Sequence, residues 1–123
     1  MRRVSIGLGW QNRADIDNFV EQAKVADESG VWAIFTGENW RREAFTPMAV
    51  LARETRNVQL GTAIVNVWSR SAAALAEHYA TLDELSGGRV IIGWGAPART
   101  SRSTSRGCRT SGRCVACAST SRS

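Results

Sequence analysis

The chain has 123 residues, room for one domain at most. Hydrophobic residues make up 43% and charged residues 22%, a balance that suits a globular chain and argues against a wholly disordered one. No apolar run approaches the roughly 18 residues of a membrane span. Met1 to Gly9 has two charges but no long apolar core before a small-residue cleavage site, so no secretory leader is expected and the chain is assigned to the cytoplasm.

The net charge of +5 is unevenly distributed. Residues 1–98 carry 10 basic and 11 acidic groups, a net of −1. Residues 99–123 hold 6 Arg, 7 Ser, 4 Thr and all 3 Cys, with no acidic residue, a net of +6. The only larger aliphatic in this tail is Val115. Such a segment cannot bury enough apolar surface to offset its ordering entropy, and is expected to be disordered.

Val4, Ile6 and Leu8 alternate with small residues, which predicts a buried strand over 3–9. Asp15 is a favourable N-cap for a helix near 15–29. Ile16, Phe19, Val20, Ala23 and Ala26 follow helical spacing, and Gly30 supplies the stop. Residues 31–35 read as a second strand and 37–42 as a polar loop. Thr46-Pro47 has the order of a cap followed by a first-turn proline, opening a second helix with Met48, Leu51 and Ala52 on its apolar side. Residues 58–65 form a third strand. Ser69 or Ser71 caps a third helix with Leu75, His78, Tyr79, Leu82 and Leu85 on one stripe, and Ser86-Gly87-Gly88 ends it. Residues 90–95 form a fourth strand, apolar on both faces, as in a covered sheet or a barrel wall. The order β-α-β-α-β-α-β with short connections argues for a parallel sheet of right-handed crossovers.

Sites in such folds form at the C-terminal ends of the strands. These ends carry Gly9-Trp10, Gly37-Glu38-Asn39-Trp40, Asn66-Val67-Trp68-Ser69-Arg70 and Gly95-Ala96. Aromatics, amides and one carboxylate suit a flat aromatic ligand better than a bare phosphate. Glu38 reads either as a general acid, base or cofactor contact, or as a solvated loop carboxylate. His78, the only histidine, reads as a packed or capping residue on the inward stripe. Asp83-Glu84 reads as a solvated pair. Gly87-Gly88-Arg89 is a turn into the fourth strand, and neither G-x-G-x-x-G nor Walker A occurs. Cys114 and Cys117 have the two-residue spacing of a metal or redox pair. Zinc would want four ligands, and only Cys108 lies nearby; a redox pair would want a strand before it and a helix after it. No metal site is assigned.

The stretch Thr81-Leu82-Asp83-Glu84-Leu85-Ser86-Gly87-Gly88-Arg89-Val90-Ile91-Ile92-Gly93-Trp94-Gly95 resembles the T-L-D-x-L-S-G-G-R-x-x-x-G-x-G signature of the bacterial luciferase-like monooxygenase family. Ala44-Phe45-Thr46-Pro47 and Val58 to Ile64 resemble that family's second helix and third strand, and the likeness runs from about Val4 to Ala96. Its flavour is that of the branch using coenzyme F420, such as methylenetetrahydromethanopterin reductase-like proteins, with FMN-using members as the alternative. The resemblance implies an α/β fold, part of a TIM (β/α)8 barrel of about four βα units. It also implies an isoalloxazine-type ring at the strand ends and hydride transfer or monooxygenation of a small-molecule substrate. It implies a non-prolyl cis peptide at Ala63-Ile64 backing the ring, and cofactor-binding positions at Glu38, Ala63, Ile64, Asn66 and Gly95. Trp40 stands where the family often has Tyr. No covalent nucleophile is implied, because the cofactor carries the chemistry.

The departure is length: a full barrel takes roughly 250 residues. Family members continue with a segment like K-P-L-x-x-x-R-E-Y-V. A permitted codon choice for Gly112 to Ser123, read two bases later, encodes P-L-R-G-L-R-E-Y-V-E-V. Residues 99–123 therefore read as an out-of-frame extension of an N-terminal half-barrel over residues 1–98. The rival reading is a basic tail that binds nucleic acid or a membrane surface. The tail lacks aromatics for stacking and a helical apolar face, so neither partner is assigned. Four strands leave two open edges and an uncovered inner layer, so self-association through those edges and weak or absent cofactor binding are expected. The alternatives to a truncated oxidoreductase are an inactive fragment and a binding protein that uses its tail.

Overall fold

A computed structural model describes residues 3–9, 16–38 and 42–96. The elements run β1 (Ser5–Gly7), α1 (Ile16–Glu28), β2 (Ala33–Thr36), α2 (Phe45–Glu54), β3 (Gln59–Thr62), β4 (Val65–Asn66), α3 (Ala72–Ser86), β5 (Val90–Ile91) and β6 (Trp94–Gly95). The expected alternation is present, with one difference. The third and fourth strands each break in two, at Ala63-Ile64 and at Ile92-Gly93. The cap at Asp15 and the whole of the basic tail, with its three cysteines, lie outside the described residues.

Each helix follows from its sequence, with corrections at the ends. In α1, Phe19, Ala23 and Ala26 form the buried stripe. Gly30 has φ 76°, and the Val31 N–H returns to the Ala26 carbonyl at 3.0 Å, a Schellman closure. The second helix is not capped by Thr46. It starts at Phe45, and the Glu43 carboxylate accepts the N–H groups of Phe45 and Thr46 at 2.8 and 2.9 Å. A longer acidic side chain ahead of the helix reaches two orphan amides and places negative charge at the dipole's positive end. Ser71, not Ser69, caps α3, accepting from the Ala74 N–H at 3.1 Å. The buried stripe of α3 is Leu75, Tyr79, Leu82 and Ser86; His78 and Leu85 are exposed, so the expected inward histidine is corrected. His78 instead lies on the rim, with its ring 4.8 Å from Phe45 and its Nδ1 against the Ala74 carbonyl.

The main sheet is parallel, in the order β1-β2-β3-β5. Its register puts Ile6, Ile34, Leu60 and Val90 in one row. These residues pack against the helices, where Ile34 and Leu60 are buried with Met48, Leu51 and Val58. The next row, Gly7, Phe35, Gly61 and Ile91, faces the other way by strand alternation. Sequential parallel strands with helices on one face form an open arc of barrel wall, unclosed among the described residues. Ile92 and Trp94 are 60% and 54% exposed, so the fourth strand is not covered on both faces as expected.

Two polar anchors hold the helices to the sheet. The Arg89 guanidinium donates to the carbonyls of Ala52 and Thr55 at 2.9 and 3.0 Å, and to the Val58 carbonyl at 2.9 Å. It thus satisfies the C-terminal carbonyls of α2 from the start of β5. Burial lowers its pKa while Asp27 opposes the shift. Asp27, near the end of α1, accepts the N–H groups of Arg56, Asn57 and Val58 at 2.7, 2.8 and 2.7 Å. Partial burial pushes the Asp27 pKa up, but these amides and Arg89 outweigh it and hold the carboxyl below its usual range.

Candidate functional site

The breaks in the third and fourth strands shape the C-terminal end of the sheet. The Ala63-Ile64 peptide is cis. Beside it, Thr62 Oγ1 donates to the Gly93 carbonyl at 2.7 Å and accepts the Gly93 N–H at 2.9 Å. The Tyr79 hydroxyl joins them from α3, 2.8 Å from Thr62 Oγ1. A Cβ at residue 93 would lie 1.8 Å from the Thr62 carbonyl oxygen, so only glycine allows this approach. Burial pushes the Tyr79 phenol above its ordinary pKa, against the lowering effect of the Thr62 bond, so it stays a neutral donor at pH 7.

Beyond the breaks the strands pair again, as β4 with β6. Val65 registers with Trp94 and Asn66 with Gly95. Ile64, Asn66 and Gly95 therefore sit side by side. A Cβ at residue 95 would come within 2.8 Å of Ile64 Cδ1, so the glycine leaves a flat shelf next to that side chain. Ala63 and Ile64 are exposed there.

Glu38 clamps this shelf from β2. Its N–H donates to the Ile64 carbonyl at 2.9 Å, and its Oε2 accepts the Asn66 N–H at 2.9 Å. Its Oε1 forms an ion pair with Arg70 Nη1 at 2.5 Å, and the Glu38 side chain is only 6% exposed. The solvated-loop reading of Glu38 is thereby corrected: its carboxylate is buried and paired. Gly37 permits the approach, because a Cβ there would meet the Ala63 carbonyl oxygen at 2.7 Å. Asn66 Oδ1 accepts the Trp68 N–H at 2.9 Å, which orients its NH2 group as a donor.

Of the five positions expected to bind a cofactor, Ala63, Ile64, Asn66 and Gly95 fall on one shelf, and Glu38 lies behind it. Trp10, Asn39 and Trp40 lie outside the described residues. Sequence reasoning gives Thr62 no role of its own, Tyr79 only a place on the α3 stripe, and Arg70 only a place among the strand-end residues. The available signal for Arg70 was charge, since it and Glu38 are opposite charges at neighbouring strand ends. Arg70 also lies 5.2 Å over the Phe45 ring, which meets Tyr79 edge-on at 5.0 Å. Among the described residues no cluster of three His, Cys, Asp or Glu could hold a metal ion, and no helix is long and apolar enough to cross a membrane.

The profile of the luciferase-like monooxygenase family matches residues 3–111. The chain is 35% identical over 93 residues to the 5,10-methylenetetrahydromethanopterin reductase of Methanolobus tindarius, covering 75% of this chain and 28% of that one. It is similar in structure to the coenzyme F420-dependent tetrahydromethanopterin reductase of Methanopyrus kandleri, with TM-score 0.62, 28% identity, and coverage of 76% of this chain and 27% of that one. The oxygenating constituent of 3,6-diketocamphane monooxygenase of Pseudomonas putida, in complex with FMN, matches in fold. Its TM-score is 0.71 at 20% identity, covering 78% of this chain and 30% of that one. The chain thus spans between a quarter and a third of the length of these relatives. With the parallel arc and the profile match over residues 3–111 in agreement, the chain belongs to the luciferase-like monooxygenase family.

Proposed function

We propose that this chain supplies the strand-end shelf of a cytoplasmic oxidoreductase that uses coenzyme F420, with FMN as the alternative, on a small-molecule substrate. The observation that carries the reading is the shelf itself. Ile64 and Gly95 offer a flat apolar surface on which a Cβ at residue 95 would intrude, and the Asn66 amide stands beside it. That surface fits a planar tricyclic ring. The ring, when bound, supplies the hydride or oxygen chemistry. Ala63, Ile64 and Gly95 would lie against it, and the Asn66 NH2 would donate to a polar ring edge. Glu38 and Arg70 act behind them, fixing the backbone at Ile64 and Asn66. The Methanopyrus kandleri reductase, named for F420 and 28% identical, supports F420 over FMN, whose complex matches at 20%.

Ligand-observed NMR with the 123-residue chain tests the reading, because it detects weak binding to an open arc. Saturation transfer to the ring protons of F420, lost in Gly95→Leu, is expected. Absence of transfer to both F420 and FMN refutes the reading.

The reading of residues 99–123 as an out-of-frame extension is part of the same proposal. Its test is the nucleotide sequence around codon 97 and beyond. A second frame encoding P-L-R-G-L-R-E-Y-V is expected; without such a frame the tail is a true sequence.

A further inference from the structure

We propose that Tyr79 is a positioning residue of the strand-end shelf: its buried hydroxyl on α3 fixes Thr62 and, through it, Gly93, the residue to which both ends of the Ala63-Ile64 segment are tied. The inference deepens the reading of the shelf as a ring site and rests on that reading for what the shelf holds.

The segment is hung between two neighbours. On the β2 side, the Ala63 N–H donates to the Thr36 carbonyl at 2.8 Å and the Ile64 carbonyl accepts the Glu38 N–H at 2.9 Å. On the β5 side both ties run to one residue. Thr62, just before the segment, holds the Gly93 N–H and carbonyl through its side chain. Val65, just after the segment, donates its N–H to the same carbonyl at 3.0 Å. From Gly93 the chain runs directly to Gly95, which lies beside Asn66 on the shelf. A displacement of Gly93 therefore disturbs both Ile64 and Gly95.

The protons of this junction follow from counting. A threonine hydroxyl has one hydrogen and two lone pairs. The Gly93 carbonyl has no hydrogen, so the oxygens of Thr62 and Gly93, 2.7 Å apart, are joined by the Thr62 proton. The Gly93 N–H takes one Thr62 lone pair at 2.9 Å. The 2.8 Å contact between Thr62 Oγ1 and the Tyr79 hydroxyl is then filled by the Tyr79 proton. Tyr79 O–H, Thr62 O–H and the Gly93 carbonyl thus form one directed chain. Without the phenol, one Thr62 lone pair is empty and the Thr62 rotamer loses an anchor.

Packing alone does not call for a phenol. The Tyr79 ring meets Phe45 edge-on at 5.0 Å, a contact that phenylalanine would also make. The hydroxyl is what enters the junction, where it lies 3.2 Å from the Gly93 carbonyl as well as against Thr62. Phe45 in turn carries the Arg70 guanidinium, the partner of Glu38. Both clamps of the shelf, Glu38 on one side and Thr62 on the other, are braced on this one pair of helix side chains.

Hydrogen exchange of the ligand-free 123-residue chain, read by amide NMR, tests the inference in a double-mutant cycle of Tyr79→Phe and Thr62→Val. Tyr79→Phe is expected to speed exchange of the Gly93 and Val65 amides about fivefold, the worth of one ordinary hydrogen bond, and to leave Ala23 and Ala26 on α1 unchanged. In the Thr62→Val background the same substitution should add nothing, because the path is already cut. Unchanged Gly93 and Val65 amides, additive effects in the cycle, or equal acceleration in α1 overturn the inference. Where a variant fails to fold, the unaltered chain decides. Its Tyr79 hydroxyl proton is expected in slow exchange with water and in nuclear Overhauser contact with the Thr62 methyl; a freely exchanging hydroxyl overturns the directed chain.

Saturation transfer to F420 separates this inference from the reading of the site. Tyr79→Phe should weaken F420 binding about fivefold. Equal binding by variant and unaltered chain overturns the positioning role and leaves the site reading standing. Binding of neither F420 nor FMN by the unaltered chain removes the site reading, and the exchange cycle still decides whether Tyr79 positions the shelf.

Discussion

Glu38 and Arg70, 32 residues apart, form an ion pair at 2.5 Å in which the side chains are 6% and 16% exposed. The pair joins the end of β2 to the segment that leads into α3. Since Glu38 also accepts the Asn66 N–H, the same carboxylate sets the backbone of the shelf.

Replacing Glu38 by Ala is expected to destabilise the chain by about 3 kcal/mol, because it leaves the mostly buried Arg70 guanidinium with only the more distant Glu43 carboxylate, at 3.7 Å, and orphans the Asn66 amide. Glu38→Gln keeps an acceptor for that amide and should cost about half as much. Urea unfolding followed by circular dichroism measures both; equal costs for the two variants contradict the clamp.

Arg89 satisfies carbonyls of Ala52, Thr55, Val58 and Ser86 at once. A lysine offers no planar fork, so Arg89→Lys should fail to rescue. Both Arg89→Met and Arg89→Lys are expected to lose about 3 kcal/mol in the same unfolding measurement.

The Asp27 carboxyl titrates below its ordinary value of 3.8, as the net of burial raising it and the amides of Arg56, Val58 and Asn57 and the Arg89 charge lowering it further. A depressed folded pKa contributes stability that is present above the unfolded pKa and is lost as pH falls through the folded one. The stability gap between the native chain and Asp27→Asn should therefore narrow as pH drops from 7 through 3.8 and below. Chemical denaturation across that range reads it, and a gap that is constant with pH contradicts the assignment.

Two glycines should differ in tolerance. A Cβ at Gly61 meets the Phe35 side chain, which has some freedom to move, and Gly61→Ala should cost about 1–3 kcal/mol. At Gly93 it meets backbone, and Gly93→Ala should cost more than about 3 kcal/mol. Tyr79→Phe removes one hydroxyl from the same junction and should cost only about 1 kcal/mol. Melting temperatures of the three variants give the order directly.

Much of the fold was legible in the residues. Helical spacing located α1 and α3, and Gly30 and Gly87 marked their ends, because caps and amphipathic stripes act over one or two turns. The start of α2 was misread because Thr46-Pro47 is a strong local signal, and the side chain that caps is Glu43, outside that pair. His78 was placed inward because it follows Leu75 by three residues, yet the stripe turns with Leu75, Tyr79 and Leu82 and leaves it on the rim.

The sequence by itself determined the βα succession, the core stripes and the signature from Thr81 to Gly95. These depend on periodicity and on short-range backbone preference. Only the tertiary structure decided that Thr62, Tyr79 and Gly93 meet, that Glu38 is neutralised by Arg70, and that Arg89 closes the end of α2. Those partners lie 14 to 37 residues apart. Their meeting depends on the register of parallel strands joined through helices, and no local pattern encodes that register.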